Sequence, residues 1–263
     1  SATVAIRTPS NSHIPAENAV IYGYEGSTAE TYFTTVETGA TFTPFEGVYS
    51  GSCGTNATWV FDPQTGVLTI GGSGAMTDYK TTADQPWKAY ADSITKIVVL
   101  KGVTTLGNLA FQALSNVTEV SLPEGLTKIG QQSLKATAIT EITIPDSVTS
   151  FGYQALNSCA QLTTITIPKS VTSFGKEAFN GCSRLGSVIF LADNDTSITF
   201  GASLFTASSK VALYSNNNAS VKALADQNAN WISFDSITLE GYCDSTNKVH
   251  WAFNAKTGEL VLS

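Results

Sequence analysis

From residue 102 to 190 the hydrophobic and polar positions run through the same order four times. The copies start at 102, 125, 147 and 170, in steps of 23, 22 and 23 residues. "TIPDSVTSFG" (143–152) returns almost letter for letter as "TIPKSVTSFG" (166–175). Each copy opens on Val103, Leu126, Val148 or Val171 and places a glycine four residues on, at Gly107, Gly130, Gly152 or Gly175. An apolar pair comes next (Ala110–Phe111, Ser133–Leu134, Ala155–Leu156, Ala178–Phe179), then an alternating stretch ("EVSL", "EITI", "TITI", "SVIF"). Alternation of period two predicts a short strand with one face inward. Pro123, Pro145 and Pro168 close three of these strands, since proline cannot continue the ladder. The glycines mark places where the backbone turns or approaches a neighbour closely. A degenerate fifth copy covers 196–214, and a half-copy, "SITKIVVLK", covers 93–101. One such unit cannot bury its own Leu, Ile and Phe. Stacked units can, which predicts a solenoid with a parallel sheet along one side.

Longer echoes flank the array. Trp-x-Phe-[Asp/Asn]-x-x-Thr-Gly-x-Leu occurs at 59–68 and again at 251–260, each time after a cysteine, Cys53 or Cys243. Each predicts a β-hairpin with a four-residue turn ending in Gly66 or Gly258, where glycine supplies a positive φ. Residues 20–42 parallel 212–234, and both read as strand, short helix, strand. Ser27 with Glu30 forms a capping box for the first helix, whose apolar stripe is Ala29, Tyr32, Phe33 and Val36. Asn218 or Ser220 caps the second, whose stripe is Val221, Leu224 and Ala225. A helix there covers the last open rung.

The expected fold is an α+β repeat protein: a solenoid with a parallel β-sheet, flanked by β-hairpin modules and short helical caps. Its parts are a cap of a preceding module (1–46), a hairpin module (47–92), an array of about five copies (93–210), a C-terminal cap (211–238) and the start of the next hairpin module (239–263). The echoes lie about 190 residues apart, 53 to 243 and 22 to 214. The chain therefore reads as a piece of a longer tandem-module protein, beginning at Ser1 after processing or excision, with both ends expected to pack poorly.

The repeats, written "IP.sVTsIG..AF..C..L" in consensus, resemble the BspA-like leucine-rich repeats over roughly 93–214. "GGSGAMTDYKTTADQPWKAY" (71–90) resembles the segment after the hairpin in the same family. Copy two departs from the pattern with "QQSLKATA", and copy five is eroded. The resemblance implies a secreted or surface protein of a host-associated microbe that contacts matrix proteins, other cells or glycans.

Composition narrows the partners. The chain has 263 residues, 42% hydrophobic and 13% charged, with a formal net charge of −7. That is core-forming composition. An acidic surface repels phosphate backbones, so no nucleic-acid partner is expected. No apolar run reaches the roughly 20 residues of a membrane span.

Candidate chemistry is sparse. His13 and His250 sit in different modules without a second ligand nearby, so no metal or cofactor is expected. Cys159 and Cys182 occupy the same position of successive copies and read as buried free thiols. "GGSG" (71–74) lacks the following Gly-Lys-Ser/Thr of a phosphate loop. "DNDTS" (193–197) reads as a turn rather than a calcium loop. No carboxylate pair, nucleophile elbow or activated cysteine marks an active site.

What remains is surface. Outward positions of the strands form one column of Glu119, Glu141, Thr164 and Ser187, and a second of Ser121, Thr143, Thr166 and Ile189. Glu119, Ser121, Glu141, Thr143, Thr164, Thr166 and Ser187 are the candidate binding face for a host or cell-surface protein or glycan. Trp59, Trp87 and Trp251 are candidates for sugar stacking only if exposed. The competing expectation is a spacer or targeting arm of a surface protein whose catalytic domain lies elsewhere.

Overall fold

The computed structural model describes residues 20–23, 41–44, 48–206, 210–234, 238–242, 250–254 and 259–262. Residues 1–49 form one compact unit and 50–263 a second. In the first, β1 (Val20–Gly23) pairs in parallel with β2 (Thr41–Pro44), Ile21 opposite Phe42. The helix expected between them, with Ser27, Ala29, Glu30, Tyr32, Phe33 and Val36, lies outside the described residues. So do His13, Cys243, Gly258 and the side chains of His250 and Trp251.

The second unit starts with a hairpin. β3 (Tyr49–Ser52) flanks β4 (Asn56–Asp62), which pairs antiparallel with β5 (Val67–Ala75). The turn holds as its sequence suggests. Gly66 adopts φ +70° and donates its N–H to the Asp62 carbonyl at 2.9 Å. The Asp62 carboxylate accepts from the Gln64 N–H and the Thr65 hydroxyl. Such an Asx arrangement satisfies the turn's own donors.

β5 then does two jobs. Its first half, Val67–Ile70, pairs in parallel with β6 (Lys96–Val99). Its last residues, Gly74 and Ala75, pair with β7 (Val103–Thr105). The strand must bend between, and "GGSG" is that bend: Gly72 and Gly74 adopt φ of +85° and +82°. The motif is a corner, and β5 is the first layer of both sheets of the solenoid.

The rungs come in chain order. β8 (Glu119–Ser121) and β9 (Lys128–Ile129) form the second, and β10 (Ser150–Phe151) belongs to the third. β11 (Thr164–Ile167) and β12 (Ser173–Phe174) form the fourth, β13 (Ser187–Phe190) and β14 (Thr199–Phe200) the fifth. β15 (Val211–Tyr214), helix α1 (Ala219–Ala225) and β16 (Trp231–Phe234) close the array. β6 and β8 begin the first sheet, and β11, β13, β15 and β16 carry it on in parallel. Between these two groups the expected "EITI" strand is reduced to one bridge, Thr143 to Thr166.

β7, β9, β10, β12 and β14 build a second parallel sheet that the expected single-sheet solenoid lacks. Its strands are only two or three residues long. The alternation that betrays a strand has no room to show.

The expected α+β class with hairpin modules and helical caps holds only in part. The protein is mostly β, a parallel-strand solenoid of about six turns, with one short α-helix among the described residues. That helix is capped by Asn218, whose side-chain oxygen accepts from the Ser220 and Val221 N–H groups at 3.0 and 3.2 Å. β17 (Thr238–Tyr242), β18 (His250–Asn254) and β19 (Glu259–Leu262) form an antiparallel sheet in the same compact unit as the array. Its register repeats the first hairpin: Trp59 faces Ile70, and Trp251 faces Leu262.

Close backbone approach explains the glycine column. A Cβ on Gly152 would lie 2.5 Å from the Gln131 nitrogen and 2.7 Å from the Gly130 carbonyl carbon. One on Gly175 would lie 2.5 Å from the Gly152 carbonyl carbon. No Cβ fits at such distances, so each glycine lets the next rung sit on the last. Two residues further on, the chain turns left-handed in every rung: Leu109, Gln132, Gln154, Glu177 and Ser203 have φ between 52° and 60°. The N–H groups of Leu109, Gln132, Gln154 and Glu177 each donate to a carbonyl of the following rung.

Inside, the columns are apolar and sealed. Phe174 stacks between Phe151 (5.1 Å) and Phe200 (5.4 Å), and Phe179 stacks on Phe205 (5.8 Å). Each such pair adds about 0.5–1.5 kcal/mol beyond burial. Ser133 takes the place that alanine holds at 110, 155 and 178, and its hydroxyl is buried without a partner.

Candidate functional site

The first sheet places the candidate face as its strand pattern requires. Val120, Ile165 and Val188 point into the core, so their neighbours point out. Glu119, Ser121, Glu141, Thr143 and Thr164 are exposed, and Thr166 and Ser187 are half-buried. Thr164 pairs with Ser187 and Thr166 with Ile189, so four of the positions are strict neighbours across adjacent strands. Glu119 pairs instead with Lys96 of the preceding strand, its carboxylate 2.6 Å from the ammonium. Exposed pairs of this kind contribute about 0–1 kcal/mol.

One member of the outward columns behaves otherwise. Ile189 is 1% exposed, although Val188 and Phe190 on either side are the ones that face the core. The expectation that it extends the open face is therefore corrected.

The aromatic candidates are structural. Trp59 is 6% exposed and Trp87 fully buried, packed edge-to-face at 6.1 Å. Trp87 also stacks on Phe111 at 5.4 Å, tying the hairpin module to the first rung. Neither ring is open to a sugar.

The thiols serve packing. Cys53, Cys159 and Cys182 are buried and free. Cys159 donates to the Leu134 carbonyl at 3.2 Å and Cys182 to the Leu156 carbonyl at 3.1 Å, each reaching back one rung. Thr137 holds the same column position in copy two and bonds the Leu134 carbonyl at 2.9 Å. That bond closes within its own rung, three residues back, so the departure from the repeat pattern replaces an inter-rung hydrogen bond with a local one. Burial pushes the Cys53 thiol up to about 12, and a hydrogen bond with Cys159, together with burial, pushes Cys182 up as well. Thiols held protonated are poor nucleophiles.

"DNDTS" is a turn, and two of its carbonyls are already used. The Asn218 side-chain amide donates to the Asp193 and Thr196 carbonyl oxygens at 2.7 and 2.9 Å. Among the described residues no group of three His, Cys, Asp or Glu side chains comes together as a metal site. Among them, too, no helix is long and apolar enough to cross a membrane.

One polar feature has no counterpart in the sequence-based expectations. Along the left-handed column, Gln132 Nε2 and Lys135 Nζ both donate to Gln154 Oε1 at 2.7 Å. Gln154 Nε2 donates to Glu177 Oε2 at 2.6 Å. Lys176 reaches Glu177 at 3.1 Å. The Gln154 hydrogen bond, then Lys176, holds the Glu177 carboxyl below its usual range. The signal for it in the sequence is a Gln, Gln, Glu series two residues after the stacked glycines. These bonds tie three strained turns together, which accounts for polar side chains at positions where glycine costs least.

Residues 88–212 match the BspA type leucine rich repeat region in six copies, against the roughly five read from the sequence. A leucine-rich repeat protein from Eubacterium ventriosum is similar at 24% identity and a TM-score of 0.48, over 55% of this chain and 44% of that one. The T. pallidum leucine-rich repeat protein shares 19% identity at a TM-score of 0.39, over 68% of this chain and 95% of that one. The pneumococcal vaccine antigen PcpA shares 15% identity at a TM-score of 0.45, over 84% and 55%. The chain thus spans less than half the length of the Eubacterium ventriosum protein. No curated protein sequence matches it.

Proposed function

We infer that this chain, whose residues 88–212 are a BspA-type leucine-rich repeat region, is a non-catalytic recognition module of a secreted or cell-surface bacterial protein. The observation that carries the reading is the contrast between its two kinds of polar residue. Buried thiols, glutamines and the capping asparagine are committed to hydrogen bonds that hold rungs together. Ser121, Thr143 and Thr164 instead stand exposed on one sheet face, flanked by the exposed Glu141 and by Glu119, which is exposed but paired with Lys96.

A regular face of this kind suits a protein partner. Carboxylates and several hydroxyls offer acceptors and short donors spaced by the strand repeat, complementary to a basic or amide-rich surface. Glycans are the weaker fit, because the buried Trp59 and Trp87 offer no stacking platform. The extracellular or surface location belongs to the same reading and rests on the repeat family.

The test is binding of the full 263-residue chain to a panel of extracellular-matrix proteins and glycans, repeated with Thr143→Glu/Thr164→Glu. Binding lost in a variant of unchanged thermal stability supports the reading. Binding that survives moves recognition to the hairpin modules or caps. No binding to any member leaves the spacer function as the better account.

A further inference from the structure

The outward face of the first sheet changes chemistry along its length. One column runs Thr143, Thr166, Ile189, Tyr214, Phe234 in strict register. The neighbouring column runs Thr164, Ser187, Ala212, Ile232. The polar half is open to solvent. In the apolar half Ile189 is 1% exposed although it lies on the outward side of β13, between the inward Val188 and Phe190, so another part of the chain lies over it. Ile232, in the other column, is 58% exposed. The covering layer therefore arrives on the Ile189 side of the face and stops short of the Ile232 column.

That side is where the chain leaves the sheet. β16 ends at Phe234, in the column of Ile189 and Tyr214, and β17 starts at Thr238. Four Cα steps reach at most about 14 Å. Ile189 lies two strands in from β16, about 10 Å away. The antiparallel β17–β19 sheet falls in the same compact unit as the array. Its register pairs Trp251 with Leu262 and Phe253 with Leu260, the pairing of the first hairpin. In the first hairpin the matching residues, Trp59, Phe61, Leu68 and Ile70, are all buried.

We propose that the β17–β19 sheet folds back onto the outward face of the last rungs and covers Ile189 and Tyr214. Each hairpin module then laps over the array before it. Successive modules are joined by a packed interface rather than a loose linker, and the open recognition surface is confined to rungs two to four. This inference stands whether or not those rungs bind a partner.

Hydrogen exchange of the full chain tests it without any ligand. Ile189→Asp places a charge under the proposed layer, Ile189→Ser is the milder form should the first fail to fold, and Thr143→Asp is the control on the open half. We expect exchange across 238–262 to quicken by about tenfold or more in the Ile189 variants. Amides of 148–182 should stay as they are, and Thr143→Asp should leave 238–262 unchanged. Unaltered exchange of 238–262 in folded Ile189 variants overturns the proposal. So does a change confined to 20–44, which would assign the cover to a different part of the chain.

Discussion

Rungs one to three and rungs four to six are built from the same repeat and hold together differently. In the early rungs the column beside the second sheet is aliphatic, Leu106 then Ile129, and Ser133 buries an unpartnered hydroxyl. There the third rung joins the first sheet through a single bridge, at Thr143. In the later rungs the same column is Phe174 and Phe200, stacked on Phe151 at the boundary, and four continuous strands pair along the first sheet. The early half leaves its outward face polar and open, whereas the late half has an apolar one. One repeat grammar therefore tolerates a cohesive half and a looser half that carries the exposed surface.

The sharpest way to break this contrast is to remove an aromatic from the cohesive half. Phe174→Ala is expected to cost about 3–5 kcal/mol, and Ile129→Ala, in the same column of the looser half, about 2–4 kcal/mol. Urea unfolding measures both; equal losses would show that the stacked rings contribute nothing beyond their size. Next is the glycine ladder at the boundary. Gly152→Ala drives a Cβ into the backbone of Gln131 and Gly130 and is expected to cost about 2–3 kcal/mol. Gly186→Ala, with nothing within 4 Å of its Cβ, should stay within about 0.5 kcal/mol of the parent. A thermal melt in which Gly152→Ala is silent would contradict the close stacking.

A smaller change should narrow the contrast instead. Ser133→Ala restores the alanine of the other copies and removes an orphaned hydroxyl, a gain of about 1 kcal/mol. Thr137→Val, whose hydroxyl does have a partner, should lose about 0.5–1 kcal/mol. If calorimetry ranks the two the other way round, rung two is not a polar weak point.

The last contrast is silent at neutral pH. The Cys53 thiol titrates near 9.0 when unfolded and is pushed up to about 12 by burial. The unfolded chain gives up that proton first, so the contribution is whole below pH 9 and drains away as pH rises toward 12. Cys53→Ala should make the alkaline loss of stability shallower. An unchanged slope would mean the thiol is not shielded.

Much of this architecture is legible in the amino-acid sequence alone. The stride, the stacked glycines, the proline corners and the Asp62–Gly66 turn all come from single residues with one physical reason each. The second sheet is not legible there, because strands such as Lys128–Ile129 are shorter than any alternation. Nor are the left-handed turns, since the five positions two residues past the stacked glycines are Leu, Gln, Gln, Glu and Ser rather than glycine or asparagine. At the candidate face, period two makes outward geometry legible but not exposure. Thr143 and Ile189 hold equivalent positions, yet the first is exposed and the second is 1% exposed, a difference that period two does not encode.

Residue-resolved hydrogen exchange of the unmodified chain tests the unequal halves most directly. The account expects the amides of 142–144, in the singly bridged third rung, to exchange faster than those of 165–167, one rung on in the four-stranded stretch, by about tenfold or more. Equal protection of the two segments, or stronger protection of 142–144, would contradict it.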